Sequence, residues 1–113
     1  MTQALTVTEA QLQAAVIELA QLCGWLVAHF RPARTQHGWR TPVSADGAGF
    51  PDLVMVRGDR LVVAELKAKR GRVSPDQQAW LAAFSQVPGI EVHLWRPSDW
   101  DAIESTLTRK ETP

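Results

Sequence analysis

Three residues in the middle of the chain, Asp52, Glu65 and Lys67, have the types and spacing for hydrolytic chemistry at a phosphate. Apolar runs at 52–57 and 60–67 flank Gly58-Asp59, and a glycine in the first of two loop positions suits a type II′ hairpin. With that turn Arg57 faces Arg60, Val54 faces Val63, Leu53 faces Ala64, and Asp52 faces Glu65. Directly opposed residues have Cβ atoms roughly 4.5–5.5 Å apart, and like charges so placed are destabilising. Two opposed carboxylates therefore ask for something positive between them. Side chains alternate along a strand, so Lys67 lies on the same face as Glu65. Mg²⁺ takes oxygen ligands and keeps several waters, so one or two carboxylates suffice to hold it. Such an ion polarises a phosphoryl oxygen and lowers the pKa of a bound water. A lysine beside it can orient that water or stabilise charge developing on the phosphate. The bland alternative is an exposed strand edge on which Lys67 merely neutralises Glu65, a pairing worth little. Asp52, in register across the hairpin, moves the balance toward a site.

The elements that must hold these residues can be read from periodicity and punctuation. A helix is expected over about 9–23, started by the Thr8/Gln11 capping box and ended by Gly24, with Leu12, Val16, Leu19, Ala20 and Cys23 at helical spacing. Residues 25–30 read as a strand, and 31–51 as a long connection rich in Gly and Pro. After the hairpin, a basic loop at 68–73 leads to a helix over about 75–86. Ser74 is its N-cap, Pro75 its first residue and Gln77 the reciprocal partner. A strand at 90–95, a short helix at 99–107 and a frayed tail at 108–113 complete the chain. The helix between the strands around Leu61 and Val92 makes a crossover, so those strands should be parallel and the sheet mixed. The expected class is α/β, in one domain spanning 1–113.

Composition sets the outer bounds. A hydrophobic fraction of 45% in 113 residues is too high for a disordered chain. The single cysteine, Cys23, excludes a disulfide framework and a Cys-rich zinc site, and on its core-facing stripe it reads as inert. The start of the chain has no basic stretch followed by an apolar block, and no apolar run is long enough to span a bilayer, so a cytoplasmic setting is expected. The formal net charge of zero hides an asymmetry. Residues 31–72 hold nine Lys or Arg (Arg31, Arg34, Arg40, Arg57, Arg60, Lys67, Lys69, Arg70 and Arg72) against the four acids Asp46, Asp52, Asp59 and Glu65. A basic middle between acidic ends suits a polyanion, although a solvated Arg-rich loop would look the same. Lys69, Arg70, Arg72, Arg34 and Arg40 are the candidate contacts to a nucleic-acid backbone. His37, Trp39 and Arg40 together could also stack on unpaired bases. His29 and His93 on strands read as structural, Trp80 and Trp95 as core, and Trp39 or Trp100 as candidates for an interface.

Helical phase adds two polar residues. Glu9 projects from the stripe carrying Leu12 and Val16, where a carboxylate needs a partner, although a first-turn Glu is also favoured by the helix dipole. Gln77 shares the face of Trp80 and Phe84 and lies within reach of the Glu65 strand, while a capping role alone would also account for it.

Pro51-Asp52 followed by Glu65-Leu66-Lys67 resembles the PD-(D/E)XK nuclease superfamily. The wider series Gly49-Phe50-Pro51-Asp52-Leu53, Ala64-Glu65-Leu66-Lys67, Ser74-Pro75-Asp76-Gln77 with Trp80, and Trp95-Arg96-Pro97 is similar to the virus-type replication-repair nuclease (VRR-NUC) domain. The resemblance implies a restriction-endonuclease-like αβββαβ core, Mg²⁺ or Mn²⁺, and hydrolysis of DNA phosphodiesters by an endonuclease. It implies that Asp52 and Glu65 hold the metal with the Leu66 backbone carbonyl, and that Glu9 stands beside it. Lys67 is then the catalytic lysine, and Gln77 would steady Lys67 or the phosphate. Small stand-alone members of the family, many of them viral, are implied to be homodimers acting on branched DNA such as four-way junctions. The competing expectations are a catalytically silent nucleic-acid-binding module, a nicking or flap nuclease acting as a monomer, and a protein-interaction domain.

Overall fold

The computed structural model of the chain describes residues 6–30, 33–35, 38–40 and 44–110, with 33–35 and 38–40 followed as backbone. In chain order the elements are α1 (Glu9–Leu22), β1 (Leu26–His29), β2 (Ala33–Thr35), β3 (Gly38–Arg40), β4 (Leu53–Arg57), β5 (Arg60–Leu66), α2 (Pro75–Ser85), β6 (Ile90–Trp95) and α3 (Trp100–Thr108). A 3-10 turn at Pro97–Asp99 leads into α3. The main sheet has the order β1-β4-β5-β6. β1 and β5 each run antiparallel to β4, and β6 runs parallel to β5 across the α2 crossover, with Val63 opposite Val92. The expected α/β class with a mixed sheet and flanking helices is what the chain forms.

Local chemistry accounts for the helix ends. At α1 the Thr8 hydroxyl accepts from the Gln11 amide, and the Gln11 side chain accepts from the Thr8 amide. At its far end Gly24 takes φ +86°, its N–H donates to the Gln21 carbonyl, and the Trp25 N–H donates to the Ala20 carbonyl. A left-handed residue followed by these two back-bonds satisfies the terminal carbonyls and turns the chain into β1. The hairpin forms as expected, with Gly58 at φ +61° and the pairs Arg57–Arg60, Val54–Val63 and Leu53–Ala64 in register.

The two faces of the sheet are treated differently. Leu53, Met55, Val62, Ala64, Leu66 and Trp95 alternate onto one face and bury against Leu12, Val16 and Ala20 of α1 and Ile103 and Leu107 of α3. Full burial of side chains of this kind contributes roughly 1.5–3 kcal/mol each. This face is the rigid floor. On the other face α2 lies along β6 and leaves Leu26, Val56 and Leu94 exposed.

Three expectations change. The segment read as one long connection contains a small antiparallel pair, with Arg34 opposite Trp39 in β2–β3. Its strands are three residues each, too short to leave an alternating signal. The frayed tail begins later than residue 108, because α3 includes Thr108 and the Arg109 carbonyl accepts from Arg57 and Arg60. Residues 111–113 lie outside the described residues. Trp100 is partly buried against the core rather than displayed for an interface, while the side chain of Trp39 lies outside what is described.

Candidate active site

The β4–β5 hairpin delivers Asp52 and Glu65 to one end of the sheet. The Asp52 carbonyl accepts from the Phe30 N–H at 2.8 Å, which ties the start of β4 to the end of β1. Its side chain turns toward the neighbouring strand, where Oδ2 accepts from the Leu66 N–H at 2.8 Å. Glu65, one residue earlier on β5, is 2% exposed. Its Oε1 accepts from Gln77 Nε2 at 3.0 Å and lies 3.9 Å from Lys67 Nζ. Its Oε2 is buried and has no hydrogen-bond partner. Burial and then the negative charge of Asp52 push the Glu65 carboxyl up to about 8, against the opposing pull of Lys67. A buried acid with an unfilled oxygen beside a second acid is costly to leave as it is.

The rest of the constellation is positioned by features both local and distant. Gln77 performs both of the roles open to it, since Oε1 accepts from the Ser74 N–H at 2.9 Å while Nε2 holds Glu65. It therefore steadies the Glu65 carboxylate, which stands beside Lys67. The amide can do this because α2 begins next to the Glu65 end of the sheet. Glu9 is exposed at the rim instead of being turned into the core. Its carboxyl is raised by partial burial and by the charge of Asp52, with Lys67 acting the other way. Lys67 is mostly covered, with 13% of its side chain exposed, and a Cβ at Gly71 would meet its Cδ at 3.3 Å.

Lys69, Arg70 and Arg72 stand exposed on the loop after β5. Arg34 and Arg40 fall on β2 and β3, and where their side chains go lies outside the described residues, as does His37. The Leu66 carbonyl follows the amide that Asp52 holds, so it sits at the same end of β5.

Two residues quoted above only as part of the resembling series, Arg96 and Gly49, organise this end. Arg96 Nη1 donates to the carbonyls of Ala68 and Gly71, each at 2.8 Å, and so gathers the basic loop from β6. An arginine directly after a buried tryptophan at a strand end was the available signal. Gly49, at φ +82°, passes so close to α2 that a Cβ would lie 2.6 Å from the Asp76 carbonyl carbon and 2.7 Å from the Gln77 nitrogen. Only glycine fits there, and it sets the Phe50-Pro51-Asp52 run against the first turn of α2. The two strand histidines are less well satisfied than expected, since His29 Nε2 and His93 Nε2 are both buried without a partner. His93 stacks on Trp95 at 4.8 Å, and burial holds its pKa below the usual range. It is thus a neutral ring away from the chemistry.

Among the described residues, no group of three or more His, Cys, Asp or Glu side chains is gathered as a metal-ligand set. The donor set is the Asp52–Glu65 pair, and two hard oxygen donors fit an ion that retains most of its waters. The unpartnered Glu65 Oε2 is the specific vacancy in hydrogen bonding that such an ion would satisfy.

A mixed sheet with αβββαβ connectivity, carrying paired acids and a lysine at one end, defines a restriction-endonuclease-like core. The model of the VRR-NUC domain matches residues 8–97, and the chain belongs to the VRR-NUC domain family. Membership implies nuclease activity on DNA. No curated protein and no solved structure matches the chain. No helix among the described residues is long and apolar enough to cross a membrane.

Proposed function

We propose that this chain is a divalent-metal-dependent endodeoxyribonuclease that acts on branched DNA as a homodimer. The observation that carries this reading is the buried Glu65 carboxylate, with Oε2 unpartnered, facing Asp52 and 3.9 Å from Lys67. Asp52 and Glu65 would hold Mg²⁺ or Mn²⁺, with the Leu66 carbonyl beside them and Glu9 at the rim. When bound, the ion would supply Lewis acidity toward a phosphoryl oxygen and acidify a water.

The chain's own groups then do the rest. Gln77 keeps the Glu65 carboxylate in one rotamer, so that the unpartnered oxygen points into the site. Lys67 places a fixed positive charge where the phosphate gains negative charge, and its burial against Gly71 limits the reorganisation needed at that moment. Lys69, Arg70 and Arg72, on the loop that Arg96 gathers, would take the flanking phosphates.

One chain offers one set of these residues and would cut one strand. Paired incision across a junction needs two sites at fixed spacing, which a two-fold dimer supplies. Leu26 at 78% exposure, with Val56 and Leu94 on the same sheet face, gives a second copy an apolar surface to cover. The test is cleavage of matched linear, nicked, flapped and four-way DNA with Mg²⁺, Mn²⁺ or EDTA, alongside light scattering. Metal-dependent cutting that favours branched substrates, by a dimer, is expected. Metal-indifferent binding without cleavage would replace this reading with a silent binding module, and cutting by a strict monomer would replace it with a nicking enzyme.

A further inference from the structure

Next to the paired acids the same two pieces of chain build an aromatic cavity. Phe30, Phe50 and Trp80, with residues 44–47, line a space of about 400 Å³. Phe50 meets Phe30 edge-to-face at 5.2 Å and Trp80 edge-to-face at 5.1 Å, so its ring stands steeply to both. The Trp80 indole N–H is used by the Asp46 carbonyl at 2.9 Å, which fixes the ring.

Two of the segments that line this cavity, one through Phe50 and one through Trp80, also carry groups of the acid site. Phe50 is followed directly by Pro51 and Asp52, and Gly49 locks that run against α2. Trp80 lies about one helical turn after Gln77, whose amide holds Glu65. Phe30 closes the third side, and its N–H bonds the Asp52 carbonyl. Phe30 remains 40% exposed, so the cavity opens to solvent with an aromatic edge on its rim. The charged residue in the lining, Asp46, is acidic, which repels phosphate but can accept from the amino group of a neutral heterocycle.

We propose that this cavity receives an unpaired nucleobase of the strand whose phosphate lies at Asp52 and Glu65. The proposal rests on the nuclease reading above and names the feature of the substrate that the site selects. A base inside a duplex is stacked and paired, and withdrawing it is costly, whereas a base at a flap, gap or junction is already free to enter. Aromatic side chains bind any base through its face, so the preference is for an unpaired nucleotide and not for a sequence. Branch preference then arises within one protomer, from a base pocket beside the cut.

The test is equilibrium binding in EDTA, where cleavage does not intervene. Flapped and gapped duplexes are compared with copies carrying an abasic site at each unpaired position near the junction. At one position the abasic copy should bind wild-type protein about ten-fold more weakly. The Phe30→Ala variant, checked for fold by circular dichroism, should bind base-containing and abasic copies equally. Equal affinity of the wild type for both at every position, in a protein that still cuts DNA with Mg²⁺, would overturn the pocket and leave the nuclease reading standing. A protein that neither binds nor cuts DNA would overturn the nuclease reading and this proposal together.

Discussion

The β4–β5 hairpin carries a like-charged pair at each end, and the protein treats the two in opposite ways. At the turn end Arg57 faces Arg60, and every part of the pair is answered from within the chain. Arg60 is 2% exposed and grips Glu91 through Nε at 2.8 Å and Nη2 at 2.7 Å, with a further bond from Nη2 to the Thr106 carbonyl. Arg57 donates to the carbonyls of Cys23 and Leu107, and the guanidinium carbons of Arg57 and Arg60 lie 4.7 and 4.8 Å from the centroid of the Trp25 ring. The C-terminal carbonyls of α3 are satisfied by the same contacts. At the open end Asp52 and Glu65 converge, and the answer is incomplete: Gln77 and Lys67 address one oxygen of Glu65, and the other accepts from no donor, so that burial and Asp52 favour the protonated acid. One like-charged pair is a structural clamp. The other leaves an oxygen open, and the proposed function places a cation there.

That contrast predicts that the two ends fail differently when broken. The largest effect belongs to Glu65→Gln, which removes a charge and almost no volume. Steady-state cleavage should fall about 10³-fold, a loss of about 4 kcal/mol of transition-state stabilisation, while urea unfolding without metal shows equal or greater stability. An apo protein destabilised by this change would make the acid structural.

Arg60→Ala should do the reverse and lower unfolding stability by about 3–5 kcal/mol, because Glu91 and the α3 carbonyls lose a buried partner. Protein that remains folded should still cut DNA. Lys67→Ala comes next: kcat should drop about 10²-fold with KM little changed, since its charge matters most as the phosphate gains charge. Equal kcat with a raised KM would move the lysine from chemistry to binding.

The smallest and most diagnostic contrast is in pH. The Glu65 carboxyl is raised from 4.5 to about 8. Its contribution to metal-free stability is therefore complete below about pH 4.5 and is lost as pH rises through about 8. The Glu91 carboxyl is lowered, first by its hydrogen bond to Arg60. Its contribution is present above its ordinary value and is lost as pH falls through its value in the fold. Thermal melts in EDTA across this range should show both losses, with Glu65→Gln removing only the alkaline one and Glu91→Gln weakening only the acidic one.

What the sequence disclosed follows the distance over which each feature acts. The hairpin register from Arg57–Arg60 to Leu53–Ala64, and with it the convergence of Asp52 and Glu65 at the open end, could be derived because Gly58-Asp59 fixes the pairing of both strands. The capping boxes at Thr8 and Ser74 and the stop at Gly24 are equally local. The candidate site was legible for the same reason: its acids lie on one hairpin, and Gln77 shows in the phase of a single helix. The Arg60–Glu91 bond, the reach of Arg96 to the loop carbonyls and the approach of Gly49 to α2 join residues distant along the chain, and no periodicity records them. Glu9 was placed on the correct end of α1 but not at its exposed rim, because helical phase gives a direction without the depth of the neighbouring layer.

Thermal unfolding of the DNA-free protein with and without Mn²⁺ tests the central claim most directly. A ligand that binds only the folded state at a hundred times its Kd stabilises by about 2.7 kcal/mol, which for a domain of this size raises Tm by roughly ten degrees or more. The account predicts that rise for the wild type and for Lys67→Ala, and its loss in Asp52→Asn and Glu65→Gln. A wild-type Tm indifferent to Mn²⁺ and Mg²⁺, or a rise that survives in both carboxylate variants, would contradict it.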